Sequence, residues 1–241
     1  MRSFFLIAAC ACTLSAQTQP RFVFNANPIT APGTYQMIRD VTSVTILAND
    51  VTLDMNGYSV NGVGGRTGTG ITIRGARGVE VFGGSISDFG TGVAVESSSN
   101  VVVRNLRIRA QGLTPPPEVG ILILQSSNVV VENNAVFNVG LGIFVRGGMS
   151  RGNRIAHNTI TAGTNGLLGI CYNPAPSGDA AGPRGDVVES NLISGFGTAV
   201  ALSELSLANV FRNNTLIFRT DAFVSPSATN QDVANTRVMM P

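Results

Sequence analysis

Residues 126–145 read SSNVVVENNAVFNVGLGIFV. A run of valines meets a pair of asparagines and a second apolar run follows. A glycine then opens an alternation in which Ile143 and Val145 share one side and Phe144 takes the other. Alternation at period two marks a strand, because successive side chains point to opposite faces. Asparagine and glycine tolerate the tight bends that separate such strands. The stretch reads as short strands joined by turns, and no window of the chain carries the three-and-four spacing of an amphipathic helix.

The phrase returns along the chain. With the glycine that opens each alternation as marker, Gly70 starts GITIR, Gly92 GVAVE, Gly120 GILIL, Gly142 GIFVR and Gly166 GLLGI, while Ala199 in AVALS and Ala222 in AFVS take the same place. By subtraction the spacings are 22, 28, 22, 24, 33 and 23 residues, a basic period of 22 with lengthened copies. A second phrase keeps step: VEVFGGSI at 79–86, VVVRNLRI at 101–108, VVVENNAV at 129–136, NRIAHNTI at 153–160, DVVESNLI at 186–193 and NVFRNNTLI at 209–217. Periods of this size belong to solenoids. Three short strands per period, stacked at the ~4.8 Å of neighbouring strands, give an all-β, single-stranded parallel β-helix of about eight coils.

Asn134, Asn158, Asn191 and Asn214 fall at one point of the phrase, before the third strand, where Gly84 and Leu106 stand in earlier coils. Amides stacked there can hydrogen-bond along the axis while each holds a bend, a structural ladder. The repeat proper runs over 46–225. Residues 17–45 are expected to cap its first coil and 226–241 to form a tail or second cap, since an open coil presents unpaired backbone groups.

The repeat, with NDVTLDMNGYSVNG at 49–62 and RGVEVFGGSISDFGTG at 77–92, resembles the right-handed parallel β-helix proteins of the pectate-lyase-like superfamily. Right-handed coiling is what the resemblance implies. That superfamily includes polysaccharide lyases, hydrolases, epimerases and adhesins, so the resemblance speaks to fold more than to activity. Its hydrolases carry Asp-Asp and Gly-His-Gly signatures and its epimerases Asp-Pro-His-Asp, none of which stands in this chain.

Composition agrees with a regular fold built from small and β-branched residues: 28 glycines, 6% aromatics and 44% hydrophobic residues in 241. All sixteen basic side chains are arginine, scattered along a chain of net charge +2, so no nucleic-acid footprint is present. The opening MRSFFLIAACACTLSA has a basic start, an apolar middle too short to span a bilayer and a small residue at Ala16, the pattern of a signal peptide over 1–16. Export to the periplasm or medium is expected, with lipid attachment at Cys10 as the alternative. No later stretch has transmembrane length. Cleavage leaves Cys171 as the single thiol, so no internal disulfide forms.

If Ile71 and Ile73 face inward, the same strand in successive coils turns Thr72, Arg74, Ala94, Glu96, Leu122, Leu124, Phe144, Arg146 and Leu168 outward. Insertions at 61–69 and 111–119 precede this strand and those at 147–152 and 173–185 follow it, so a walled groove over these rows is the expected site. Loops folded down as cover, or oligomerisation through Leu122, Leu124, Phe144 and Leu168, are the competing readings. Arg74 and Glu96 occupy adjacent coils and suit a surface ion pair.

As substrate-binding residues, Arg74 and Arg146 would meet acidic or hydroxyl groups, Glu96 would share the same face, and Phe144 with Tyr172 would pack on sugar faces. Hydrolysis needs two carboxylates about 5–9.5 Å apart. Elimination or epimerisation of a uronate needs a base and a cation such as Ca²⁺. Only Glu96 lies firmly on the face, with Glu118, Asp179 and Asp186 in the loops. Glu96 and Arg146 are therefore the weak catalytic candidates, no metal cluster or cofactor is expected, and Ca²⁺ enters only for a lyase. His157 reads as a turn residue, and Cys171 as a buried, unreactive thiol. The leading function is recognition of an extended polysaccharide along the groove. The alternatives are a divergent lyase, epimerase or hydrolase, and a non-catalytic structural or surface scaffold.

Overall fold

Apolar alternation interrupted by bends becomes three strands per turn of the chain. The computed structural model describes residues 19–23, 25, 28–62, 67–109, 118–163, 166–173 and 181–241. One coil shows the plan: a front strand Thr91–Glu96, a side strand Ser99–Arg104 and a back strand Arg107–Arg109, before the next front strand Val119–Leu124. Each pairs in parallel with its counterparts in the neighbouring coils. The side sheet stacks ten strands from Arg21–Val23 to Gln231–Val233. The front and back stacks merge where Leu192–Leu202 and Thr215–Val224 turn the corner unbroken. All described elements are strands, and no helix among the described residues is long and apolar enough to cross a membrane.

Register repeats side chain on side chain. Ile71, Val93, Ile121, Ile143, Ile170 and Val200 form one inward row, and Ile86, Ile108, Val136, Ile160, Ile193 and Leu216 form another. All are at most 1% exposed. β-Branched side chains suit this pleated, in-register stacking, and each buried one contributes about 1.5–3 kcal/mol of transfer free energy.

The glycine of the repeated phrase marks where front and back sheets touch. A Cβ on Gly92 would lie 2.5 Å from Ile108 Cγ2 and 2.6 Å from the Gly120 carbonyl oxygen, and one on Gly120 would lie 2.4 Å from Val136 Cγ1. The same contact identifies Gly169, not Gly166, in the sixth coil: its Cβ would lie 2.3 Å from Ile193 Cγ2, and Ile143 pairs with Ile170. The expected register there is corrected by three residues. The strand is Leu168–Asn173, with Tyr172 turned inward and Cys171 outward.

The bends hold buried polar columns. Asn134, Asn158 and Asn191 each donate a backbone N–H and a side-chain N–H to the Oδ1 of the amide in the next coil, at 2.9–3.0 Å, as far as Asn214. Asn214 donates likewise to Asn235. The residue before each amide takes the left-handed conformation, among them Asn133, His157 and Asn213 at φ near +55°. A second column, at the start of the side strands, runs Asn153, Asp186, Asn209, Asn230. A third, between front and side strands, uses Ser98, Ser126 and Ser150 hydroxyls as acceptors.

The ends depart from the expected caps. Arg21–Val23, Gly33–Met37 and Val44–Ile46 already belong to the stacks, and residues 226–241 add the strands Gln231–Val233 and Thr236–Met239. The expected tail instead continues the solenoid, because Asn230 and Asn235 extend two of the columns into it. The signal peptide expected at 1–16, with Cys10 and Ala16, lies outside the described residues.

Candidate functional site

On the front sheet the odd positions of each phrase face out in registered rows. One row is Thr72, Ala94, Leu122, Phe144, Cys171, Ala201; the next is Arg74, Glu96, Leu124, Arg146, Asn173. Leu168 belongs to a third row with Val119 and Leu141, so the expected apolar set spans three rows rather than one. Ala94 and Cys171 are buried, and Leu122, Leu124, Phe144 and Arg146 are half-buried.

At one end of the face, Arg74 Nε donates to Glu96 Oε2 at 2.6 Å, the ion pair expected from the sequence. Toward the middle, Arg146 makes no ion pair among the described residues. Its guanidinium carbon lies 5.0 Å from the Phe144 ring centroid, and its Nε–H is buried with no acceptor among the described residues. A guanidinium over a ring face is held by the ring quadrupole, while a buried donor left without a partner is costly. The side sheet treats its arginines differently. Arg104 pairs with Glu80 at 2.6 Å, and Arg154 bridges Glu132 and Glu189 at 3.1 and 2.8 Å. Arg212 closes on Glu189 at 2.7 Å, and its hydrogen bond holds Glu189 below the usual carboxylate range.

Glu96 and Arg146 share a row but are separated by Leu124, two coil steps or about 9.6 Å of backbone. With its carboxylate engaged by Arg74, Glu96 does not meet Arg146, and the structure does not bring the weak catalytic pair together. Tyr172 is corrected from sugar platform to core: it is fully buried and meets Phe211 edge to face at 5.7 Å between centroids. Burial pushes the Cys171 thiol up to about 11, with the Arg146 charge pulling the other way, so the thiol stays protonated and unreactive at neutral pH. Glu118 is buried, Asp186 sits in an amide column, and Asp179 lies outside the described residues. His157 is exposed at a bend. Of the expected walls, residues 63–66, 111–117 and 174–180 lie outside the described residues, while 147–152 turns beside the face. Among the described residues no three His, Cys, Asp or Glu side chains are grouped to hold a metal ion.

Sequence reasoning missed the outer face of the back sheet. Ser59, Asn61, Ser85, Ser87, Arg107, Arg109 and Phe137 line an open cavity of about 300 Å³ there. Setting RIR at 107–109 under SIS at 85–87 and SVN at 59–61 was the signal that would have found it.

The sequence model for the right-handed β-helix region matches residues 42–217. The chain belongs to the right-handed β-helix family. Its coils are right-handed. No curated protein sequence matches this β-helix. Among solved structures it is similar to a hyperthermoactive exopolygalacturonase from Thermotoga maritima, with 15% identity, TM-score 0.60, and coverage of 84% of this chain and 55% of that one. It is similar also to a periplasmic alginate epimerase, with 14% identity, TM-score 0.57, and coverage of 82% and 58%. An alginate lyase from a Paenibacillus species is similar at 15% identity and TM-score 0.50, with coverage of 88% and 86%. The β-helix thus spans little more than half the length of the first two, and identities this low establish fold alone.

Proposed function

We propose that this β-helix is an exported protein that binds an extended acidic polysaccharide across the front sheet, with Arg146 as the anion-binding residue and Phe144 as its aromatic support. The observation that carries the reading is Arg146 itself, a guanidinium stacked 5.0 Å from a ring on a solenoid face, with a buried Nε–H that lacks an acceptor. A carboxylate of the polymer would accept that N–H in the forked geometry that arginine prefers. Leu122, Leu124 and Phe144 would lie under the apolar faces of the sugars. The flanking insertions support a binding face, since loops on one side of a solenoid are where its ligands are commonly met. Binding rather than turnover is favoured because Glu96, the carboxylate of this face, is engaged by Arg74.

The names of the similar structures, a polygalacturonase and two alginate enzymes, guide the choice of polymers. In native gels containing alginate, polygalacturonate or neutral dextran, the protein should be retarded by at least one acidic polymer and not by dextran. Arg146→Gln should weaken that retention by about 10–100-fold, the worth of one charge-assisted hydrogen bond. Equal retention of wild type and Arg146→Gln would sink the assignment. Release of reducing ends or unsaturated sugars from either polymer would show turnover instead.

A further inference from the structure

The back sheet carries a second cationic feature, independent of the front face. The strand Arg107–Arg109 buries Ile108 and turns both arginines outward. Their α-carbons are about 6.6 Å apart along a strand. Among the described residues neither guanidinium has an ion pair or hydrogen bond, in contrast with the Arg–Glu pairs of the side sheet. Their rows explain why. Arg107 stands between Ser85 and Ala135, and Arg109 between Ser87 and Phe137, with Ser59 and Asn61 one coil further on. No carboxylate occupies either row. Asp88, next in sequence to Ser87, accepts from the Ser87 hydroxyl at 3.3 Å. Two like charges therefore share one strand without a counter-charge in their rows.

The cavity beside them is rich in donors and poor in acceptors. Ser59 and Ser85 share one hydrogen bond at 2.7 Å, which leaves one hydroxyl proton uncommitted. The Ser87 hydroxyl donates to Asn61 Oδ1 at 2.9 Å, which engages one lone pair of that amide oxygen and leaves its Nδ2–H₂. The Arg107 guanidinium stacks 4.8 Å from the Phe137 ring centroid, which fixes its orientation at the edge of the cavity. Two guanidinium forks, an amide N–H₂ and a hydroxyl around one open cavity of about 300 Å³ call for an oxyanion carried on a hydroxylated body.

We infer that this back-sheet cavity is a second binding site, for a single acidic sugar unit whose carboxylate or sulfate ester is clamped between Arg107 and Arg109. Ser59, Ser85 and Asn61 meet its hydroxyl and ring oxygens, and Phe137 closes one side.

Calorimetric titration in an Arg146→Gln background, which removes the proposed front-face contact, tests this site alone. The probes are trigalacturonate, a sulfated chondroitin disaccharide and neutral galactotriose. At least one anionic probe should bind saturably, and galactotriose should not. Adding Arg107→Gln and Arg109→Gln should raise Kd by about tenfold or more. Ser85→Asp, which supplies an internal counter-charge beside Arg107, should abolish binding while leaving thermal stability equal or higher. That variant keeps the test valid if the double arginine variant folds poorly. Absence of binding by both anionic probes, equal binding of galactotriose, or binding that survives Ser85→Asp would overturn the inference. If wild type binds and Arg146→Gln alone abolishes all binding, the back-sheet site is refuted while the front-face reading stands.

Discussion

Asp186 occupies a place where its neighbours in the column are asparagines, and its titration should be visible in the stability of the whole solenoid. Its carboxyl accepts the Asn153 backbone N–H at 2.8 Å and side-chain N–H at 3.1 Å, and its own N–H donates to Asn209 Oδ1 at 3.0 Å. Beside it the buried Tyr172 hydroxyl is close enough to interact but closes no hydrogen bond. Burial pushes the Asp186 carboxyl up to about 6, and the Asn153 hydrogen bonds hold it from going higher. An unfolded chain releases this proton near pH 3.9.

Below about pH 3 the group is protonated in both states and costs nothing. Between about pH 4 and 6 the unfolded state ionises first, and stability falls as pH rises. Above the folded value both states are charged, and the native state is less stable by about 2 × 1.4, or roughly 3 kcal/mol. Asp186→Asn keeps the shape and removes the titration. Melting temperatures of wild type and variant should differ by a constant amount below about pH 3, and the variant should gain about 6–12 °C relative to wild type by pH 7. Taking the difference between the two proteins cancels the other carboxylates. A difference that does not change with pH, or that shrinks toward neutrality, would refute the placement of a charged group in this column.

Three further outcomes follow from the same geometry. Gly120→Ala drives a Cβ to 2.4 Å from Val136 Cγ1 and 2.6 Å from the Gly142 carbonyl oxygen, so urea unfolding should show a loss of about 1–3 kcal/mol or more. Asn191→Ala removes the acceptor of two Asn158 donors and the donor to the Ile155 carbonyl, and should cost about 2–5 kcal/mol by the same assay. The Cys171 thiol, 4% exposed and pushed up to about 11, should resist Ellman's reagent at pH 8 until denaturant is added.

The period was legible because one position per coil tolerates only the smallest residues, and a steric requirement at the front-to-back contact writes itself into the sequence as Gly70, Gly92, Gly120 and Gly142. It failed at the sixth coil because Gly166 and Gly169 stand three residues apart, and local pattern cannot say which one meets Ile193. That slip turned Tyr172 toward solvent on paper while the chain buries it against Phe211. Asp186 was expected in a loop, because its column environment comes from Asn153 and Asn209, 33 and 23 residues away, and shows only when the residues before each side strand are stacked. Arg107 and Arg109 were hidden for the same reason: in LRIRA they are two scattered charges, and their serine and asparagine surroundings come from other coils. Expectations built on outward rows did better for Arg74 and Glu96, whose pairing needs only one coil step.

The most direct test of front-face recognition is the Nε–Hε resonance of Arg146, followed by NMR in protein labelled with ¹⁵N-arginine and assigned by single Arg→Gln variants, as alginate oligosaccharide is added. The account predicts a saturable shift of the Arg146 signal, with the Arg74 signal, held by Glu96, left in place. An Arg146 signal that stays put while the oligosaccharide binds elsewhere, or does not bind, would contradict it.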